Sequence, residues 1–100
     1  MRIIYNKHAI EDIQNTQKYI IDNFHDETSA KKITIRIFDT VSLLSDNPYM
    51  GARLSDKFDV ETNMRFLIIQ KHIVFYEVFD EEIEIFRILD SRQDYLSILF

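Results

Sequence analysis

The chain reads as an α+β protein in which an N-terminal strand and an antiparallel helical hairpin pack on a small antiparallel sheet, in the order β-α-α-β-β-β-(α). Three observations predict this. Apolar residues recur at helical spacing from residue 7 to residue 44. Three runs rich in β-branched and aromatic residues then follow closely between residues 65 and 89. Only one Gly and one Pro occur among the 100 residues, which favours long regular elements joined by few loops.

Arg2-Ile3-Ile4-Tyr5 is short and β-branched, a first strand ended by Asn6. Asn6 then caps a helix, because its side-chain oxygen accepts from a backbone N–H of the first turn. From Lys7 to Phe24 the apolar residues Ile10, Ile13, Ile20, Ile21 and Phe24 fall at helical spacing with polar residues between them. His25-Asp26-Glu27-Thr28 breaks that pattern, and Asp26 or Thr28 is placed to cap a second helix. This helix carries Ala30, Ile33, Ile37, Val41 and Leu44 at spacings of three and four, and it ends at Asp46-Asn47-Pro48. A tight connection between two such helices implies an antiparallel hairpin with a joint apolar face.

A polar stretch from Tyr49 to Asn63 separates the hairpin from the runs Arg65–Ile69, His72–Phe79 and Ile83–Leu89. Gln70-Lys71 and Asp80-Glu81-Glu82 are the reversals of an antiparallel meander. Ser91 to Phe100 reads as a short closing helix with Tyr95, Leu96 and Leu99 turned inward. The whole, residues 1–100, is one domain in a single helix-on-sheet layer pair, since two domains of this size would each lack a core.

Composition narrows the class. A hydrophobic fraction of 46% with thirteen Phe and Tyr supports a packed core. The absence of Cys fits a reducing cytoplasm, and no apolar run approaches the roughly 18 residues of a membrane span, so a soluble cytoplasmic protein is expected. Net charge is −5, whereas proteins that grip nucleic acid by its phosphates carry a basic surface. From Met64 onward there are four Lys/Arg (Arg65, Lys71, Arg87, Arg92) against seven Asp/Glu. Any nucleic-acid chemistry therefore rests on few side chains.

Three stretches together resemble the RelE/ParE superfamily of bacterial type II toxins. Leu44-Ser45-Asp46-Asn47-Pro48-Tyr49-Met50-Gly51-Ala52-Arg53-Leu54 is similar to the family's junction between second helix and sheet. Met64-Arg65-Phe66-Leu67-Ile68 with His72-Ile73-Val74-Phe75-Tyr76-Glu77-Val78 resembles its arginine-bearing strand and the strand that follows. Ile85-Phe86-Arg87-Ile88-Leu89-Asp90-Ser91-Arg92-Gln93-Asp94-Tyr95 looks like its closing signature. The resemblance implies a toxin of a toxin–antitoxin, or plasmid-stabilisation, system. It also implies a partner: a small antitoxin, usually a dimer bound to operator DNA, whose tail lies along the toxin. An apolar groove between the helix pair and the C-terminal segment is the expected tail site, with Ile21, Phe24, Ile37 and Phe38 as lining residues.

Two targets stay open. In the ParE branch the resemblance implies inhibition of DNA gyrase by binding, without catalysis. In the RelE branch it implies a ribosome-dependent mRNA endonuclease that needs no metal. There, a side chain deprotonates the ribose 2′-hydroxyl, which attacks the adjacent phosphate while cations stabilise the transition state. The catalytic candidates on that reading are Arg65, Arg87, Arg92 and Tyr95, with Lys71 and His72 behind them. Aliphatic Ile73 and a preceding strand with a single cation depart from the nucleolytic pattern and favour the ParE branch. A third reading is an inactive homologue retained as an antitoxin-binding module.

Each candidate also has a structural reading. Arg65, separated by strand parity from Phe66 and Ile68, pairs with a carboxylate such as Asp90 or Asp94. Arg87 shares a face with Ile83, Ile85 and Leu89, where it needs a partner such as Asp94. Tyr95 serves as a base only if Arg92, Arg65 or Lys71 depresses its pKa, and otherwise anchors the tail. His72 is a solvated residue at a strand entrance, and Asp80-Glu81-Glu82-Ile83-Glu84 is a solvated turn. No Cys or carboxylate surrounds His72 at ligand spacing, and His8 and His25 belong to the hairpin. No metal and no cofactor are expected.

Overall fold

The computed structural model describes residues 1–100, and its elements follow the order of the sequence. Strand β1 (Arg2–Tyr5) leads into helix α1 (Lys7–Phe24), capped by the Asn6 side chain, which accepts from the Ala9 N–H at 3.0 Å. His25 ends α1 in the left-handed region at φ 51°, and Asp26 then caps α2 (Glu27–Ser42) by accepting from the Ser29 N–H at 3.0 Å. A 3-10 turn, Leu43–Ser45, brings the chain to Pro48. The polar stretch from Tyr49 to Asn63 contains β2 (Ala52–Arg53) and a single helical turn, α3 (Leu54–Lys57). Strands β3 (Arg65–Ile69), β4 (His72–Val78) and β5 (Glu82–Asp90) form the meander, and α4 (Tyr95–Leu99) closes the chain.

The sheet is mixed rather than purely antiparallel. Its order is β1-β5-β4-β3-β2, with β1 parallel to β5 and every other pair antiparallel. The hairpin between β1 and the meander supplies the crossover that lets the first strand lie beside the last.

One sheet face receives the helical hairpin. Ala9, Ile13, Ile33, Ile37, Val41 and Leu44 pack against Ile69, Val74, Tyr76, Ile83, Ile85 and Ile88. All five apolar positions expected of α2 are buried. In α1 the expectation holds only for Ile13 and, in part, Ile20. Ile10, Ile21 and Phe24 face outward, and the buried stripe runs through Ala9, Asp12 and Ile13.

The opposite face is also covered, so the fold has a second, thinner layer in place of the single layer pair expected. Leu54, Ile73, Phe75 and Leu89 form a smaller core there, flanked by Phe58, Val60, Met64, Phe66, Tyr95 and Leu99.

Leu89 lies on this second face because β5 carries an irregularity. The pairing passes from Phe75↔Arg87 to Tyr76↔Ile85, leaving Phe86 as an extra residue. Such a bulge reverses the alternation beyond it. Ile83 and Ile85 are therefore joined on the hairpin face by Ile88, and the single face expected for Ile83, Ile85, Arg87 and Leu89 does not form.

A neutral clamp fixes the loop before β2. The buried Tyr76 hydroxyl accepts from the Gly51 N–H at 2.8 Å and donates to the Pro48 carbonyl at 3.0 Å. A side chain at Gly51 would meet the Phe66 carbonyl oxygen and the Tyr76 hydroxyl at 2.6 Å each, so only glycine lets the loop approach this closely. Burial raises the Tyr76 pKa, opposed by the Gly51 hydrogen bond and by Arg65.

Candidate functional site

A cleft of about 840 Å³ opens where α1 passes the end of the sheet formed by the start of β4 and the exit of β5. Its helical wall is Asp12, Asn15, Thr16, Tyr19, Ile20 and Phe24, a stripe at spacings of three, four and five along α1. Lys71, His72, Arg87, Ile88, Asp90, Arg92 and Gln93 line the other wall. The β3–β4 turn and the β5 exit are held together by a 2.7 Å hydrogen bond from the Ser91 N–H to the Lys71 carbonyl.

Two arginine–carboxylate pairs stand in the cleft. Arg87 bonds Asp12 through both ends of its fork, Nε to Oδ2 at 2.8 Å and Nη2 to Oδ1 at 2.9 Å. Asp12 also accepts from the Ile88 N–H at 2.9 Å, so three donors satisfy a carboxylate whose residue is only 8% exposed. This hydrogen bonding raises the Arg87 pKa. Arg92 grips Asp90 in the same fork geometry, with both distances 2.9 Å, and its own N–H donates to Asp90 at 2.8 Å. These bonds hold the Asp90 carboxyl down at about 2 and raise the Arg92 pKa.

Lys71 is exposed and forms no ion pair. His72 sits across from Asp90 in the β4–β5 register, half-buried, with a sealed Nδ1 that has no hydrogen-bond partner. Desolvation lowers its pKa, with Asp90 acting against that shift and Arg92 adding to it. No three His, Cys, Asp or Glu side chains gather in a metal-holding arrangement.

The candidate residues therefore separate. Lys71, His72, Arg87 and Arg92 share the cleft. Arg65 lies away from it, with its guanidinium 4.9 Å from the Tyr49 ring centroid and its Nη1 donating to the Gly51 carbonyl at 2.7 Å. It pairs with neither Asp90 nor Asp94. Tyr95 belongs to the second core, its ring 5.4 Å from that of Phe75 and 5.9 Å from that of Phe58.

Among the four residues expected to receive an antitoxin tail, Phe24 lines the cleft and is 65% exposed. Ile21 and Phe38 are exposed outside it, Phe38 edge-on to Tyr5 with ring centroids 5.2 Å apart. Ile37 is only 1% exposed and is a core residue, because its helix face is the one pressed onto the sheet.

Sequence reading missed Asp12 as the Arg87 partner, naming Asp94 instead, and missed Tyr19, Asn15 and Thr16. The available signal was Asp12 itself. It sits three residues after Ala9 and beside Ile13, on the buried stripe of α1, where a carboxylate requires a cation.

Among solved structures, one chain titled "Chromosomal ParDE TA system from P. aeruginosa" is similar in fold, with a TM-score of 0.73 and 20% sequence identity. The match covers 90% of this chain and 95% of that one. No curated protein matches the chain in sequence. No helix is long and apolar enough to cross a membrane. A family model described as the ParE toxin of the type II toxin–antitoxin system, parDE, matches residues 3–95, so the chain belongs to the ParE toxin family.

Proposed function

We propose that this chain arrests growth by binding DNA gyrase, without catalysis of its own, and that a cognate antitoxin neutralises it in the cytoplasm. One observation carries the non-catalytic part: both arginines of the cleft are already neutralised by carboxylates of the same chain. A phosphoryl transition state needs preorganised positive charge aimed at its oxygens, and Lys71 alone remains unpaired. Tyr95 and Arg65, the other two groups of an RNA-cleaving constellation, are engaged elsewhere. For the antitoxin, Ile21, Phe24 and Phe38 offer apolar surface on the outside of the hairpin.

The test is a supercoiling assay with purified gyrase, relaxed plasmid and increasing toxin. Loss of supercoiling at toxin concentrations comparable to gyrase is the expected result. Unaffected gyrase over the whole range sinks the proposal.

A second reading, ribosome-dependent mRNA cleavage, is favoured by the gathering of Lys71, His72, Arg87 and Arg92 in one cleft. Its test is mapping of RNA 5′ ends in a cell-free translation reaction. Cuts that need both ribosome and toxin would establish it, and intact mRNA would remove it.

A further inference from the structure

The charge of the molecule is polarised along β4 and β5. At the hairpin end, residues 77–84 hold Glu77, Asp80, Glu81, Glu82 and Glu84 and no basic residue, with only Glu82 paired, to Arg2. At the cleft end, Lys71, Arg87 and Arg92 face Asp12 and Asp90. Three cations against two carboxylates leave the cleft one positive charge in excess, in a chain of net charge −5. His72 adds no charge at neutral pH, since burial favours its neutral form. An acidic partner approaching this protein is repelled at one end of the sheet and drawn to the other.

The excess charge has a definite place and definite neighbours. Lys71 is held beside the β5 exit by the bond from Ser91, next to Arg92, whose side chain is 68% exposed. Arg92 commits Nε and Nη2 to Asp90, and the Tyr19 side chain lies close enough to its guanidinium to add to the rise in its pKa. Facing these two cations across the cleft is an aromatic ledge on α1. It consists of Tyr19 and Phe24, 51% and 65% exposed, with ring centroids 6.2 Å apart, and Ile20 lies beneath.

We infer that the cleft receives one carboxylate of an acidic, apolar-flanked segment of a protein partner, held between Lys71 and the outer edge of Arg92 while its apolar neighbours lie on Tyr19 and Phe24. The partner is the antitoxin, which rests on the toxin reading above. An excess of one positive charge beside apolar rings matches a single carboxylate on a peptide. RNA presents a phosphate at every nucleotide and draws its affinity from several cations at once, which the two internal ion pairs do not leave free.

Two synthetic pentapeptides serve as probes, acetyl-Ala-Phe-Glu-Leu-Ala-amide and its Gln counterpart, with hexauridylate as the RNA arm. Binding is followed by amide and side-chain NMR shifts of the labelled full chain, independently of any gyrase or toxicity assay. The Glu peptide is expected to bind at least threefold more tightly than the Gln peptide, with shifts centred on Tyr19, Phe24, Lys71 and Arg92. In Lys71→Ala, an exposed position without ion-pair partners, that preference is expected to vanish while the spectrum elsewhere stays unchanged. Equal binding of the two peptides, shifts centred outside the cleft, or a preference that survives Lys71→Ala each overturns the inference. Hexauridylate binding more tightly than the Glu peptide at the same residues overturns it in favour of a nucleic-acid cleft. Loss of gyrase inhibition in the earlier assay would leave these outcomes unchanged, so the two proposals fail separately.

Discussion

The two arginine–carboxylate pairs of the cleft have nearly the same bond lengths and opposite structural meanings. Arg87–Asp12 joins β5 to α1 across 75 residues of sequence, with side chains 27% and 9% exposed. Arg92–Asp90 spans two residues and is 68% and 25% exposed. The first holds the hairpin to the sheet at the bulge, where the extra residue Phe86 interrupts the ladder. The second organises only the turn that leaves β5, where Gln93 also accepts from the Asp90 N–H at 2.8 Å. Matching geometry does not make matching energetics: burial and the distance spanned decide what a pair does.

The largest effect expected from breaking this comparison is at Arg87. Arg87→Met strands the Asp12 carboxylate in a buried site and should lower unfolding stability by about 2–4 kcal/mol, the lower end reflecting the partial exposure of the guanidinium. Urea denaturation measures it. Adding Asp12→Leu should recover most of the loss, because removing both charges also removes the desolvation cost. A double variant no more stable than Arg87→Met would show that the pair contributes a net attraction.

The uncharged clamp between β4 and the loop before β2 is a control of intermediate size. Tyr76→Phe removes the hydroxyl that satisfies both the Gly51 N–H and the Pro48 carbonyl, and should cost about 1–3 kcal/mol by the same denaturation measurement. A loss well below this range would mean that the 48–51 loop rearranges to find other partners.

The smallest effects sharpen the comparison through pH. His72 and Asp90 both have depressed pKa values in the folded state, so the unfolded chain binds more protons and folding weakens as pH falls. For His72 the contribution is complete above its unfolded value of about 6.5 and declines below it. For Asp90 it is complete above its ordinary value of 3.8 and is lost as pH falls towards about 2. His72→Phe should flatten chiefly the upper window and Arg92→Ala chiefly the lower, each with a smaller change in the other because His72, Asp90 and Arg92 act on one another. Arg92→Ala should lower the neutral-pH denaturation midpoint only slightly, far less than Arg87→Met, because solvent screens the exposed pair. A large midpoint shift in Arg92→Ala would erase the distinction between the two pairs.

The same contrast accounts for what the sequence did and did not disclose. Local patterns were readable where local forces decide. Asn6 and Asp26 cap the two helices, α2 and the 3-10 turn after it bury the five residues the spacing implies, and the three meander strands lie within a residue or so of their expected limits. Alternation failed at Phe86, because no Gly or Pro marks the bulge and one extra residue reverses every face beyond it. The Arg87 partner was hidden for a different reason: the two positions lie 75 residues apart in sequence and only the crossover brings them together. α1 misled because it carries apolar side chains on more than one face, and those on the outside, Ile10, Ile21 and Phe24, look the same in sequence as those inside. The gathering of Lys71, His72 and Arg92 in one cleft was partly legible, since they stand at the start of β4 and just past the end of β5, which pair with each other.

The parallel pairing of β1 with β5 has a consequence for how the protein is made. Arg2 lies opposite Glu82, so the first strand leaves the synthetic machinery 80 residues before its partner exists. At a translation rate of about 5–20 residues per second that is a delay of roughly 4–16 s. Throughout it the helical hairpin has no completed sheet to rest on. Arg87, Ile88 and Asp90, which form much of one wall of the cleft, all belong to the late strand. The nascent chain therefore lacks that wall of the cleft until the late strand has been made.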